Sequence, residues 1–293
     1  MIEYIVLIQA GYTIGNVCLF FGISRQAYYQ QQKIFIRERY QEEIILQLVC
    51  SIRKKQTKAG GRKLYKILQG EFLELGFRLG RDKFFNILRN NNLLVECKKK
   101  YVITTNSHHR FRIYTNLIKE LYVNRPGQVI VGDITYLRTE EGFVYLALLT
   151  DVYCRKIIGY DISESLSVEG SIRALRMALR SIGRLKCSIH HSDRGIQYCC
   201  DDYIKILKHN QIQISMAEKG NPYENAIAER VNGILKIEFL LDQKFRCKLD
   251  ARYSSIEAIK IYNQERLHMS LGYKTPEAMY NDYETRNVSP ILH

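Results

Sequence analysis

Apolar residues between positions 128 and 161 fall into three runs, Val129–Leu137, Phe143–Val152 and Lys156–Asp161, and Glu140-Glu141-Gly142 interrupts the first two. Runs of this length, rich in Val, Ile, Leu and Tyr, predict strands, and the Glu-Glu-Gly break predicts a hairpin turn. Downstream, helical spacing of apolar positions predicts a helix over Val168–Ile182 and another over Asp202–Asn210. Short strands are expected at Ser188–His191 and Gln213–Met216, and a long helix starts after Pro222 and runs to about Leu241. The order βββαβαβα is that of an α/β, RNase H-like core: a mixed five-stranded sheet flanked by helices.

The N-terminal third has a different rhythm. Residues 11–33 carry Val17 and Phe20 on one helical face and a turn at Phe21-Gly22-Ile23. Ser24 is placed to cap a second helix, in which Ala27, Tyr28 and Gln31 follow at helical spacing. This is a helix-turn-helix pattern, and Arg25 and Gln26 would lie where such helices read base edges. A connecting helix is expected over 36–53, with Ile44, Leu48 and Ile52 at spacing four. Residues 60–94 repeat the theme: Leu64, Ile67 and Leu68 make one apolar face, Phe84, Ile87 and Leu88 another, and Gly76 and Gly80 break the chain between them. Arg62, Lys63, Arg81 and Lys83 lie at the helix starts, suited to DNA phosphates, and Lys98-Lys99-Lys100 follow. The expected organisation is a helix-turn-helix module at 1–38, a second small all-helical module at 39–105, a linker at 106–127, the catalytic core at 128–245 and a helical extension of the core at 246–293.

Charge sharpens this division. The chain of 293 residues has a formal net charge of +14. Residues 1–126 carry 22 Lys and Arg against 9 Asp and Glu, whereas residues 127–293 carry 22 against 21. A basic surplus confined to one segment indicates a polyanion-binding module attached to a near-neutral domain. The eight Cys are scattered without a CxxC pair, so a zinc site is not expected and the thiols read as reduced. The apolar IEYIVLI near the start is too short for a signal or a membrane span, so a soluble, cytoplasmic protein is expected.

Three carboxylates carry the candidate chemistry. Asp133 lies in QVIVGDITYL, Asp193 follows the short strand in IHHSDRGIQY, and Glu229 lies on the long helix in NPYENAIAERVNGILK. Carboxylates on a strand, a strand end and a helix suit a phosphoryl-transfer site built on two Mg²⁺ or Mn²⁺ ions, which take hard oxygen ligands. A buried, unpaired Asp133 would be costly, and a metal would relieve that cost. On the helix, Asn225, Glu229, Asn232 and Lys236 form one polar stripe, with Ile227, Val231, Ile234 and Leu235 on the apolar side. Asn225, Asn232 and Arg194, which follows Asp193, are candidate DNA contacts.

HSDRGIQY (191–198), GNPYENAIAERVNGILKIEF (220–239) and YNQERLHMSLGYKTPEAMY (262–280) closely resemble the second-reading-frame product of the IS-three family of bacterial insertion-sequence transposases, within the DDE transposase and retroviral-integrase superfamily. The resemblance covers most of the chain, from the Ser24-Arg25 region to Tyr280. It implies Asp133, Asp193 and Glu229 as the metal-binding triad and Lys236 as a DNA contact near the site. It further implies cleavage of one strand at terminal inverted repeats, then attack of the freed 3′ hydroxyl on another phosphodiester without a covalent enzyme intermediate. DNA is the implied partner, together with self-association into at least a dimer on DNA and an upstream reading-frame protein. The chain departs from the family pattern at Ile130, where Trp is frequent, at Glu224, where Asp is commoner, and at Cys154, where Ser is usual. Other readings are a non-catalytic end-binding regulator derived from a transposase, a plain RNase H-like nuclease, and a tyrosine recombinase, for which no supporting Arg/His constellation exists.

Overall fold

The computed structural model describes residues 13–95, 111–181, 188–218 and 225–288. They form two compact units, the first holding the residues up to Lys54 together with Gly60–Leu94, the second holding Lys55–Ala59 and the residues from Val95 onward.

The first unit is all helical. Helix α1 (Ile14–Phe20) is capped by Thr13, whose hydroxyl accepts from Asn16 N. The turn expected at Phe21-Gly22-Ile23 forms, with Gly22 at φ 67°, a left-handed conformation that glycine adopts without a Cβ penalty. Ser24 caps the next helix by accepting from Ala27 N at 3.0 Å, as its position in the sequence predicts. That helix, α2 (Arg25–Lys55), is continuous for 31 residues, so the module boundary expected at 38–39 falls inside one rod. KIFIR (33–37) contains no Gly or Pro to end a helix, and Arg39 stacks over Phe35, one turn back. Ile45 and Val49 are its most buried residues here, one position away from the expected Ile44 and Leu48. Phe20 is exposed, and Cys18 joins Val17 in burial instead.

Helices α3 (Gly61–Glu74) and α4 (Arg81–Asn90) bury Leu64, Leu68 and Phe72 against Phe84, Ile87 and Leu88. Tyr65, Phe72 and Phe84 make a three-ring cluster with centroids 5.7–6.4 Å apart, which adds ring–ring attraction to area burial.

The second unit is the sheet. Strands β1 (Val129–Thr139), β2 (Gly142–Asp151) and β3 (Ile157–Ser163) form an antiparallel meander. β4 (Ile189–Ser192) and β5 (Gln213–Met216) add in parallel, giving the order β3-β2-β1-β4-β5. A sixth, two-residue strand, β6 (Lys244–Phe245), pairs with the far end of β1, beyond the five strands expected. On one face, Ile130, Leu149 and Ile158 pack on α5 (Val168–Ser181), with α6 (Ile196–Cys199) and α7 (Asp201–His209) beside it. On the other, Leu137, Leu146 and Leu148 pack on α8 (Ala226–Glu238) and α9 (Lys248–Gln264). This three-layer arrangement is the RNase H-like core expected from the element order.

Residues 111–127, expected as a linker, pack on this unit. Phe111 and Tyr114 lie against the α5 face, and Leu117 N donates to Ser215 Oγ at 2.8 Å. Aromatic side chains set among polar residues give this irregular segment apolar area to bury. The Lys98–Lys100 run and Glu224 lie outside the described residues.

After α9 the chain makes a 3₁₀ turn (Met269–Leu271) and a final helix, α10 (Pro276–Val288). Among the described residues no helix is long and apolar enough to cross a membrane.

Candidate active site

The site begins where β4 runs out. β4 pairs in parallel with β1 from Val129↔Ile189 to Gly132↔Ser192, and Asp133 and Asp193 are the next residue on each strand. The parallel register therefore delivers both carboxylates to the same sheet level, one on a strand that continues and one on a strand that has ended. On its other side Asp133 remains paired with Leu148 of β2. β1 thus has an open edge along Asp133–Tyr136, between the end of β4 and the start of β6.

The local backbone holds each group. Asp133 Oδ1 accepts from Ile134 N at 2.9 Å, and Asp133 Oδ2 accepts from Asn232 Nδ2 at 2.7 Å. Asp193 Oδ1 accepts from Gly195 N at 2.9 Å, which folds the chain into a tight Asx turn. A β-carbon on Gly195 would stand 2.9 Å from that same oxygen, so a larger residue there would displace the Asp193 carboxylate. Glu229 comes from the exposed side of α8, one turn before Asn232. The amide of Asn232 thereby ties the Glu229 helix to the Asp133 strand.

Electrostatics reports the same convergence. Burial, then the charge of Asp193 and more weakly that of Glu229, push the Asp133 carboxyl up to about 7 against the opposing bonds from Asn232 and Ile134. Partial burial, then Asp193, raise Glu229 as well. Crowding three carboxylates into a partly dry corner leaves negative charge that calls for a cation. All three offer hard oxygen donors, the chemistry that Mg²⁺ and Mn²⁺ take. The donor chemistry therefore suits such an ion, although among the described residues no group of three His, Cys, Asp or Glu side chains is placed to hold one.

The remaining candidates divide. Asn225 and Asn232 are buried at 5% and 6% exposure, so their part of the expected polar stripe faces the protein, not an open surface. Lys236 lies with its ammonium 4.6 Å from the ring centroid of Tyr136, and burial lowers its pKa. Arg194 donates from Nε to Ala217 O at 2.9 Å, which holds the turn after β4 to the end of β5. In the first unit, Arg25 and Gln26 open α2, Arg62 and Lys63 open α3, and Arg81 and Lys83 open α4. Arg81 pairs with Asp82 and Lys83 with Glu38 on the surface. Cations at helix starts oppose the helix dipole, an arrangement that an approaching phosphate would relieve.

Two features escape a reading of the sequence. His190, beside the site, is buried and hydrogen-bonded to Tyr203 Oη at 2.9 Å. Burial, then His191, depress it to about 3, so it is a neutral core residue. The motif at 262–280 is a brace: Asn263 bonds both N and O of Ile157 at 2.9 Å, Tyr262 Oη donates to Arg155 O, and Arg266 binds Glu238 through two 2.8 Å bonds. Glu238 ends the helix that carries Glu229, so the brace holds that helix against the sheet. The compact spacing of Tyr, Asn, Arg and His in the motif is the available signal, but its partners at the start of β3 are distant in the chain.

Known proteins bear directly on this arrangement. The integrase core domain family matches residues 123–222, and a second integrase core domain family matches 210–276. The chain is 38% identical over 272 residues to the insertion element IS600 uncharacterized 31 kDa protein of Shigella sonnei, covering 91% of this chain and 98% of that one. It is 29% identical over 279 residues to the transposase InsF for insertion sequence IS3A of Escherichia coli K12, covering 93% and 96%. Among solved structures, the HTLV-2 integrase catalytic core domain in complex with magnesium aligns with TM-score 0.43 and 17% identity, over 53% of this chain and 97% of that one. Sheet order and family match define an integrase-core enzyme of the DNA transposase and integrase class. Within that class the chain belongs to the IS3 family of insertion-sequence transposases.

Proposed function

We propose that the chain is a DDE transposase that cuts one DNA strand at the terminal inverted repeats of its insertion sequence and transfers the freed 3′ hydroxyl to a second phosphodiester, without a covalent enzyme intermediate. The observation that carries this reading is the parallel register that sets Asp133 beside Asp193, with Asn232 joining the Glu229 helix to the same strand. Asp133, Asp193 and Glu229 would hold the Mg²⁺ or Mn²⁺ ions, two in the full site. Bound there, such ions supply charge neutralisation to the attacking and leaving oxygens of an in-line displacement.

The chain's own residues prepare that site. Asn232 orients the Asp133 carboxylate and leaves Oδ1 engaged by the strand amide of Ile134. The Asp133 carboxyl, pushed up to about 7, must release a proton to serve as an anionic ligand, so cation binding there would be coupled to proton release. Lys236, stored over Tyr136 at the open edge of β1, can swing its ammonium to a phosphate beside the carboxylates. The N-terminal helices, with Arg25, Gln26, Arg62, Lys63, Arg81 and Lys83 at their starts, would read the element ends. In this reading the protein works in the cytoplasm on the nucleoid, as at least a dimer that brings two ends together, with an upstream reading-frame protein as a further partner.

The direct test puts both inverted repeats on a supercoiled plasmid with purified protein and Mg²⁺, beside Asp193→Asn. Branched or circular joined products with the wild type alone are expected. Specific end binding without products, unchanged when the fused upstream frame is supplied, would instead identify a regulator of transposition.

A further inference from the structure

Alternation along β1 and β2 sorts their side chains between the two faces of the sheet. The pairs Tyr136↔Tyr145 and Arg138↔Phe143 set four side chains on the face that carries α5, and Lys244, paired with Arg138 from β6, adds a fifth. Ile134 and Ala147 are the last residues of these strands to join the apolar layer under α5, and the three rings lie beyond it. Among the described residues no apolar layer covers this end of the face. Phe143 is 49% exposed, and Tyr136 and Tyr145 are half-buried. Tyr136 and Phe143 hold each other edge to face, with centroids 5.5 Å apart and planes at 90°.

The cations around these rings come from three elements. Arg138 stands on β1 and Lys244 on β6. Lys236 belongs to α8, which packs on the opposite face, yet its ammonium lies 4.6 Å from the Tyr136 centroid. It therefore reaches the ring past the open edge of β1, which shows that this edge is a passage between the two faces. Two acids nearby are engaged: Asp242 lies 3.9 Å from Arg138, and Glu141 accepts from Lys248 N at 3.0 Å. Asp133 is three residues back along β1, about 10 Å, on the opposite face but at the same open edge.

We propose that Tyr136, Phe143 and Tyr145, bordered by Arg138, Lys236 and Lys244, form a stacking platform for unpaired bases of a DNA strand that crosses the open edge of β1 from the acidic centre. Rings set among cations suit single strands, because every base has a face to stack and every nucleotide a phosphate to neutralise. A duplex keeps its bases stacked on one another and offers this surface only its backbone. The inference rests on the reading of the chain as a DNA strand transferase, and the test separates the two.

The chain contains no tryptophan, so Phe143→Trp places a single fluorescent ring on the platform. Tyr253→Trp, at a site 65% exposed on α9, is the control. Each full-length variant is titrated with a short oligothymidylate and with a duplex of equal length, without metal. Saturable quenching of Phe143→Trp by the single strand is expected, with little by the duplex and little for Tyr253→Trp. The same quenching is expected when Asp193→Asn is added. Phe143→Leu, which keeps apolar area but removes the ring, is expected to bind the single strand roughly tenfold more weakly than wild type. Equal quenching of the two tryptophan variants, equal quenching by duplex and single strand, or wild-type binding by Phe143→Leu would each overturn the platform. Quenching as expected from a protein that joins no ends on the plasmid would leave the platform and sink the strand-transfer reading. Normal joining with an unquenched Phe143→Trp would do the opposite.

Discussion

Asn232 donates its side-chain amide to Asp133 across 2.7 Å, joining the helix of one candidate ligand to the strand of another. Hydrogen bonds to charged groups contribute about 1.5–3 kcal/mol. Asn232→Ala is therefore expected to lower stability by an amount in that range at pH 8, where Asp133 is ionised, and by less at pH 6, where it is largely protonated. Urea unfolding of the metal-free protein at the two pH values measures this. Equal losses at both would mean that the amide serves packing and not the carboxylate.

The carboxyl of Asp133 is raised in the folded state, so between its unfolded value and about 7 the native protein holds a proton that the unfolded chain has lost. Stability contributed by this group is thus present at acid pH and is lost as pH rises through about 7. Asp133→Asn is expected to melt higher than the wild type above pH 7 without metal, with the difference shrinking towards pH 5. The same variant is expected to lose strand cleavage by about three orders of magnitude or more, roughly 4 kcal/mol of transition-state stabilisation. A gain in stability at pH 5 as large as at pH 8 would argue against a perturbed Asp133.

Lys236 and Tyr136 form a cation–π pair at 4.6 Å. Lys236→Ala is expected to reduce joined product roughly tenfold while sparing Mn²⁺ binding. Tyr136→Phe keeps the ring face and is expected to stay close to wild type, whereas Tyr136→Ala should follow Lys236→Ala in part. Full joining by Lys236→Ala would leave the lysine as a packing residue of the β1 edge.

For the helix-start cations, changing Arg62, Lys63, Arg81 and Lys83 to Ala in pairs should weaken end binding and flatten its salt dependence. Every DNA phosphate that is no longer neutralised by a cation reduces the steepness of the log–log salt plot by about one. Filter-binding isotherms across salt concentrations provide the slope, and an unchanged slope would move DNA contact away from α3 and α4.

Arg266 is 3% exposed on its side chain and grips Glu238 through two 2.8 Å bonds. Removing one partner of a buried pair leaves a charge uncompensated, at a cost of about 3–5 kcal/mol. Arg266→Met is expected to lose stability on that scale, and the double variant with Glu238→Gln to recover much of it. A double variant no more stable than the single would mean that Arg266 acts through its packing on Tyr262 instead.

Much of the molecule is legible in the chain because it depends on local pattern. The apolar runs of β1 and β2, the apolar face of α4, the cap at Ser24 and the strand at Gln213–Met216 all follow from composition, periodicity and turn chemistry within a few residues. Asp133, Asp193 and Glu229 can be singled out because each stands at a fixed point of such an element. Periodicity does not say which side of α8 faces inward at each turn, since that depends on what the sheet offers. Asn225 and Asn232 therefore read as an outer stripe, and the structure buries them, Asn232 against Asp133 itself. The continuity of α2 is hidden for a related reason: nothing in residues 33–39 stops a helix, and a change of module does not require one to stop. Long-range pairings are decided only in three dimensions: the parallel register that sets Asp133 beside Asp193, the grip of Arg266 on Glu238 and the stacking of Lys236 on Tyr136. Local propensity is written into neighbouring residues, whereas a contact between distant ones exists only after the layers have packed, and packing is what chooses the partner.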